Sequence, residues 1–381
     1  MVDLKNKFVS VYIKQFVIPK ALIFDKPGFV DFKISGKTNV FARQILMPET
    51  FFVELEDNIV KTYGDKGRMV LYSIGKKFGY SFAQLGRFEN IKDHGDKVKD
   101  WIVIASKFVE GTYASEISPT IDLKNRIVDY TLKNFVICRK LNYDLIFSTG
   151  GTAGLMSWLL QDNNIECYYS EGSTNKDGVH ECKIRSGPIE KLRISNSKQL
   201  FSETNLDNLT QDTQTYNAFN TEVEIESTKS FDSYLDAKIF SYENGIITLN
   251  ASQERFFLME ASCMYLLEFE LKQRHIDFNI SDIAYLVGKN MFGKITRDIQ
   301  SVSELMTALG WGEVLILEKN KYEVIINHFP WTKWYKDIDF YIIRGFLSGL
   351  ISNIYSRNIN FNKPKVEVSN GYLTLLFIET T

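Results

Sequence analysis

Apolar residues recur at i, i+3, i+4 and i+7 in the stretch that opens at Arg43 (RQILMPETFFVELEDNIVKTYG). They do so again in the stretch that opens at Arg255 (RFFLMEASCMYLLEFELKQRHI). That period puts one apolar stripe on a helix, so an amphipathic helix is predicted in each. Arg43, Leu46 and Met47 line up with Arg255, Leu258 and Met259. A second helix is predicted from Val70 (VLYSIGKKFGYSFA) and from Ile283 (IAYLVGKNMFGKIT), with Gly75 set against Gly288. Later, a Gly-x-x-Ser helix, a strand, a polar turn with glycine and a final strand run from Gly154, and the same order runs from Gly345. Ahead of each first helix stands a strand pair around Ser-Gly or Asn-Gly (VDFKISGKTNVFA and KIFSYENGIITLN), which is hairpin chemistry.

Matching order and spacing over three blocks implies a tandem duplication. The segment between the copies is rich in Ser, Thr, Asn and Asp and lacks any period, so it reads as a linker or insertion. The expected organisation is a first domain over 1–190, a polar linker over 191–236 and a second domain over 237–381. Composition agrees: 381 residues, 44% hydrophobic and 24% charged, describe an ordinary globular chain long enough for two cores. A net charge of −2 argues against direct nucleic-acid binding. The four cysteines, at 138, 167, 182 and 263, form no CxxC pair. The N-terminus has only short apolar runs, and no run approaches the 18 or so residues that a membrane span requires. A cytoplasmic protein with reduced thiols and no transmembrane segment is therefore expected.

The repeat unit resembles a known family. The R-x-x-LM-P segment, the LYSIGKKFG helix, the GWGE strand (Gly310 to Glu313), the RGFLSGLIS helix and the terminal E-V-S-N-G-Y hairpin are similar to the 4-vinyl-reductase sensor domain. That domain shares its fold with the Bet-type subunits of the transport particle (TRAPP). The resemblance covers about residues 28–188 and 237–381. It implies an α+β class: two tandem copies of a domain with helices on one side and an antiparallel meander on the other, forming a fused pseudo-dimer. It also implies small-molecule sensing in some members and assembly scaffolding in others. Sensing members often hold zinc through E-x-x-C-x-x-x-G-x-x-x-C at the terminal hairpin. In the first copy Glu171 and Cys182 fit around Gly178, but Thr174 stands at the intervening cysteine position. Cys167 and His180 lie nearby. The second copy has Pro364, Glu367 and Leu375 and cannot bind zinc this way. Zinc takes about four N, S or O donors, so the set in the first copy is incomplete. Core or surface cysteines are the competing reading.

Candidate chemistry is sparse. The stretch from Tyr143 to Gly172 (YDLIFSTGGTAGLMSWLLQDNNIECYYSEG) resembles a strand, a glycine turn and a helix, as at an NAD(P) pyrophosphate site. Gly150, Gly151, Gly154 and a ribose-binding Glu171 would form it, though Thr149 stands where the first glycine belongs. The alternative is helix packing through Gly154-x-x-Ser157, matched to Gly345-x-x-Ser348, with Gly150-Gly151 confined to the first copy. The pairs Glu56–Asp57 and Glu110–Glu116 read as solvated charge. Four histidines share no motif. An aromatic cluster, Trp331, Trp334, Tyr335, Phe340 and Tyr341, can be core, partner interface or the lining of an apolar ligand cavity. The function expected is that of a non-catalytic binding or regulatory protein: a scaffold that binds a protein partner or itself, with sensing of an apolar small molecule. No cofactor is expected apart from the zinc alternative. The competing class is an NAD(P)-binding enzyme built on Gly150–Gly154.

Overall fold

In the computed structural model, the described residues are 8–33, 41–85, 88–138, 145–174, 176, 178–192, 204, 206, 223–227, 229–243, 245–276, 280–330, 336–369 and 372–380. In chain order, strands β1 (Leu22–Ile23), β2 (Val30–Lys33) and β3 (Phe41–Pro48) lead into helix α1 (Glu49–Leu85). Helix α2 (Val98–Tyr113), β4 (Glu116–Asp122), β5 (Ile127–Lys133), α3 (Ile146–Leu160), β6 (Ile165–Thr174) and β7 (His180–Pro188) follow. The later part holds α4 (Phe231–Asp236), β8 (Phe240–Glu243), β9 (Ile246–Leu249), β10 (Glu254–Glu260), α5 (Ser262–Gln273), α6 (Ile280–Met291) and α7 (Ile299–Ala308). It ends in β11 (Glu313–Glu318), β12 (Tyr322–Phe329), α8 (Tyr341–Tyr355), β13 (Lys365–Ser369) and β14 (Tyr372–Ile378). The class is α+β with antiparallel sheets, as the sequence implies. No helix among the described residues is long and apolar enough to cross a membrane.

The chain divides into two compact units whose segments interleave. The first comprises 1–20, 52–211 and 242–246; the second comprises 21–51, 212–241 and 247–381. In the first unit, the sheet runs β4-β5-β7-β6. Val128, Tyr130 and Leu132 alternate inward on β5, and Cys182, Ile184 and Ser186 do so on β7. In the second unit a sheet of the same winding runs β11-β12-β14-β13. Its inward rows are Val324 and Ile326 on β12 and Leu373, Leu375 and Phe377 on β14. The strict alternation marks one face packed and one face wet.

The R-x-x-LM segments are strands, and not the first turns of helices. β3 is buried along its whole length, and the helical period starts only at Glu49 and, in the second copy, at Ser262. A strand covered on both faces loses its alternation, so a short apolar run there imitates a helix start. β3 and β10 pair antiparallel in the middle of a six-stranded sheet ordered β1-β2-β3-β10-β9-β8. Leu46 faces Leu258, the residues already equivalent in the repeat, with Met47 against Phe257 on one side and Ile45 against Met259 on the other. α1 is bent at Gly64, whose φ of 54° and ψ of −131° only glycine adopts without strain. α7 starts cleanly because Asp298 and Ser301 form a reciprocal capping box.

Two of the thiols expected to be reduced are joined: Cys138 and Cys182 form a disulfide, while Cys167 and Cys263 are free and buried. Two pairs read as solvated charge also differ. Glu56 is buried, and so is Glu110. Glu110 accepts from Lys107 Nζ at 2.5 Å, from the Ile117 N–H at 2.7 Å and from Ser10, and it pairs with Lys14 at 2.9 Å. These bonds fasten the N-terminal segment onto α2.

Candidate functional site

Helices α3 and α8 occupy matching places in their units. Each is preceded by a left-handed residue, Leu145 (φ 48°) or Phe340 (φ 58°), and each ends on another, Gln161 (φ 49°) or Ser356 (φ 53°). The two helices correspond at a constant separation of 195 (340 − 145 and 356 − 161). Under that match Gly150 corresponds to Gly345 and Gly154 to Gly349. A β-carbon on Gly150 would come within 2.2 Å of the Tyr72 carbonyl oxygen, and one on Gly154 within 1.9 Å of that of Lys76. In the second unit the same additions at Gly345 and Gly349 would meet the Ser281 and Tyr285 carbonyls at 2.3 and 2.1 Å.

The glycines therefore lie inside helices pressed against α1 or α6. The Gly150–Gly154 run is mid-helix, with no strand-to-helix turn and no space for a pyrophosphate. Glu171, the intended ribose ligand, is on an exposed stretch of β6 and pairs with Lys183. The correspondence expected from sequence is corrected by one helical turn: Gly154-x-x-Ser157 matches Gly349-x-x-Ser352, and Gly150 has a counterpart in both copies. Only Gly151 is particular to the first copy, where Phe346 stands in the second.

A buried glutamate meets the first turn of each of these helices. Glu56 accepts the Ile146 N–H at 3.2 Å and the Phe147 N–H at 2.9 Å. Glu268 accepts the Ile342 N–H at 2.9 Å with Oε1, while its Oε2 has no hydrogen-bond partner. In the first unit a closed buried network lies beside α3. Lys76 Nζ reaches Glu166 Oε1 at 2.7 Å and the Asn163 carbonyl at 3.1 Å; Tyr72 donates to Glu166 Oε2 at 2.6 Å and accepts the Cys167 N–H at 3.0 Å. Burial raises the Glu166 carboxyl even with the lysine in contact.

The most unusual cluster lies in the second unit, where β2, β3, the GWGE turn and the ends of β12 and β14 converge. Register sets Asp31 directly opposite Arg43. Asp31 is 0% exposed, and neither carboxylate oxygen accepts a hydrogen bond. Its nearest cationic atom, Arg43 Nε, is 3.6 Å away and also lacks a hydrogen-bond partner. Arg43 is held by its other end: Nη2 donates to the Gly28 carbonyl at 2.9 Å and Nη1 to the His328 carbonyl at 3.4 Å, with the guanidinium 4.0 Å from the centre of the Phe29 ring. Burial pushes the Asp31 carboxyl up to about 6, outweighing Arg43 and Lys26, and it lowers the His328 imidazole. Phe29, His328 and Tyr372 form an aromatic wall with centroids 5.3–6.2 Å apart.

The backbone around this cluster turns left-handed at four residues: His328, a non-glycine, at φ 57°, and Gly28, Gly310 and Gly312, which adopt φ 78°, 91° and 98° without strain. The Gly312 N–H reaches the Gly28 carbonyl at 3.2 Å. Glycine is required on both sides of Trp311, because a β-carbon on Gly310 would come within 2.7 Å of the Gln44 carbonyl oxygen and one on Gly312 within 2.3 Å of that of Asn327. Beside them the buried Glu313 accepts from the N–H groups of Glu226 and Ser227 and from Asn327. Orphaned buried charge and left-handed backbone in one place mark functional sites more often than ordinary core.

Of the aromatic candidates, Trp331, Trp334 and Tyr335 lie outside the described residues. Phe340 is core, edge-on to Phe329 at 5.6 Å, and Tyr341 is at the surface with Arg344 over its ring at 5.3 Å. The zinc candidates are spread along a hairpin. Cys182 is in the disulfide, Glu171 pairs with Lys183, Cys167 is in the core, and His180 Nδ1 is 2.9 Å from Thr174 Oγ1. No group of three or more His, Cys, Asp or Glu among the described residues is placed to hold a metal ion. Sequence reading passed over Asp31 and Glu268 and took Glu56 for solvated charge. For the glutamates a signal existed, since Leu55-Glu56 and Leu267-Glu268 recur at the spacing of Leu46 and Leu258.

No family model and no curated protein matches this chain. Among solved structures, the phenol-responsive sensory domain of the transcription activator PoxR, determined with phenol, aligns with 46% of this chain and 89% of its own length. The identity is 17% and the TM-score 0.33, a likeness too slight to assign fold or ligand.

Proposed function

We propose that this chain is a non-catalytic regulatory protein that senses a small molecule at the Asp31–Arg43 cluster of its second unit. The observation that carries this reading is a fully buried carboxylate with both oxygens free of donors, next to an Arg Nε–H free of acceptors. A single uncharged hydroxyl satisfies both, donating to Asp31 and accepting from Arg43. Its apolar body would lie on the Phe29, His328 and Tyr372 rings. The ligand class is thus a small uncharged molecule with a hydroxyl head, in keeping with the resemblance to tandem 4-vinyl-reductase domains. We assign the protein no resident cofactor. Native mass spectrometry of the freshly purified chain should show a bound small molecule, lost on Asp31→Ala. Wild-type protein that stays empty, and is not stabilised against heat by any member of an alcohol panel, would sink the reading.

Self-association is the second reading, and one observation favours it. Phe8, Val11, Tyr12 and Phe16 form an exposed row at helical spacing, with Tyr12 and Phe16 stacked at 5.9 Å. Sedimentation velocity should show a dimer that Phe8→Glu with Phe16→Glu converts to monomer; a wild-type monomer at high concentration removes this reading.

A further inference from the structure

Glu268 and Glu56 do equivalent work differently. Glu56 uses both oxygens, one on each of two successive N–H groups of α3. Glu268 faces the corresponding N–H groups of Tyr341 and Ile342, accepts the latter at 2.9 Å with Oε1, and leaves Oε2 buried without a hydrogen-bond partner. Both carboxylates face a helix N-terminus, where negative charge is favoured. An orphan oxygen on an anion is costly in the interior, whereas a protonated acid tolerates burial far better.

We propose that Glu268 is a proton-operated latch on the first turn of α8. With the proton bound, the neutral acid stays buried and its Oε1 holds Ile342. Without it, the anion draws in water and the turn is released. The rest of α8 is fixed by the close approach of Gly345 and Gly349 to α6, so movement is confined to the turn that follows Phe340.

The charges around the latch agree with this. Burial is the main influence and pushes the Glu268 carboxyl up to about 7. Asp339, in the segment entering α8, raises it further, while Arg344, one turn into α8, lowers it along with the bonds from the first-turn N–H groups. The lysine on its own helix, Lys272, is bound to Asp339 at 3.1 Å, and Lys363, beyond α8, is bound to the same carboxylate at 2.7 Å. A carboxyl raised on folding stabilises the closed form below its unfolded value of 4.5, and that stability is lost as pH climbs through about 7. The latch is closed in mild acid and open in mild alkali.

Hydrogen–deuterium exchange of peptides covering 337–345, corrected for intrinsic rate, tests this. In wild-type protein, protection should fall by about tenfold for each pH unit between about 5 and 7 and level off above 7. Glu268→Gln should abolish the fall, and Glu56→Gln should leave it in place. An equal fall in Glu268→Gln, or none in wild type, overturns the proposal. Should Glu268→Gln fail to fold, carbon-13 titration of the wild-type carboxyl decides: a midpoint near 7 supports the latch, and one below about 5 overturns it.

Discussion

Asp31 and Arg43 are a pair in which each side chain is worse off alone. Burial raises the Asp31 carboxyl from 3.8 to about 6, so its stabilising contribution is complete below about 4 and lost as pH rises through 6. The loss is on the order of 3 kcal/mol. Asp31→Asn should therefore unfold at higher urea than wild type near pH 8 and match it near pH 4. A variant that matches wild type near pH 4 but is weaker near pH 8 would show that the ionised pair is net stabilising. Arg43→Met should cost about 3–5 kcal/mol at pH 8, because the remaining carboxylate is buried without compensation. Arg43 was visible in the sequence as a repeat marker. Its partner was not, because Asp31 is brought opposite only by the β2–β3 register. Glu56 and Glu268 likewise look like surface charge until a helix N-terminus arrives beside them. In each case the missing information was which distant backbone group faces the carboxylate.

Helix–helix approach is legible from glycine spacing, but its register is not. A slip of four residues keeps a helix face nearly unchanged, so Gly154 aligns with Gly345 about as well as with its true counterpart, Gly349. The packing predicts unequal outcomes for neighbouring glycines. Gly150→Ala, Gly154→Ala, Gly345→Ala and Gly349→Ala should each cost about 1–3 kcal/mol, since the added carbon meets backbone that cannot turn aside. Gly151→Ala has only the Gly75 carbonyl at 3.8 Å and should instead be neutral or gain up to about 1 kcal/mol of helix propensity. Chemical denaturation of the five variants checks this. If Gly151→Ala proves as costly as Gly150→Ala, the assigned α1–α3 packing is wrong.

At the scale of the molecule, the second unit draws residues 21–51 from the start of the chain. A fragment over 237–381 retains β10 but lacks β3, leaving a buried, apolar strand edge unpaired. It should be insoluble or oligomeric, and fusing 21–51 ahead of it through a flexible linker should restore a cooperative monomer. A well-behaved monomer of 237–381 alone would contradict the assignment of 21–51 to that unit. The repeated order of elements was readable because order and spacing survive sequence drift; the recruitment of β1–β3 into the second unit was not, because hydrophobic pattern carries no label of its partner. The β3–β10 ladder has one more property. Its register is centred on two equivalent leucines, so it reads alike from either end. A strand that meets its own copy around a two-fold axis has this register, so the seam has, inside one chain, the pairing that a homodimer makes between two.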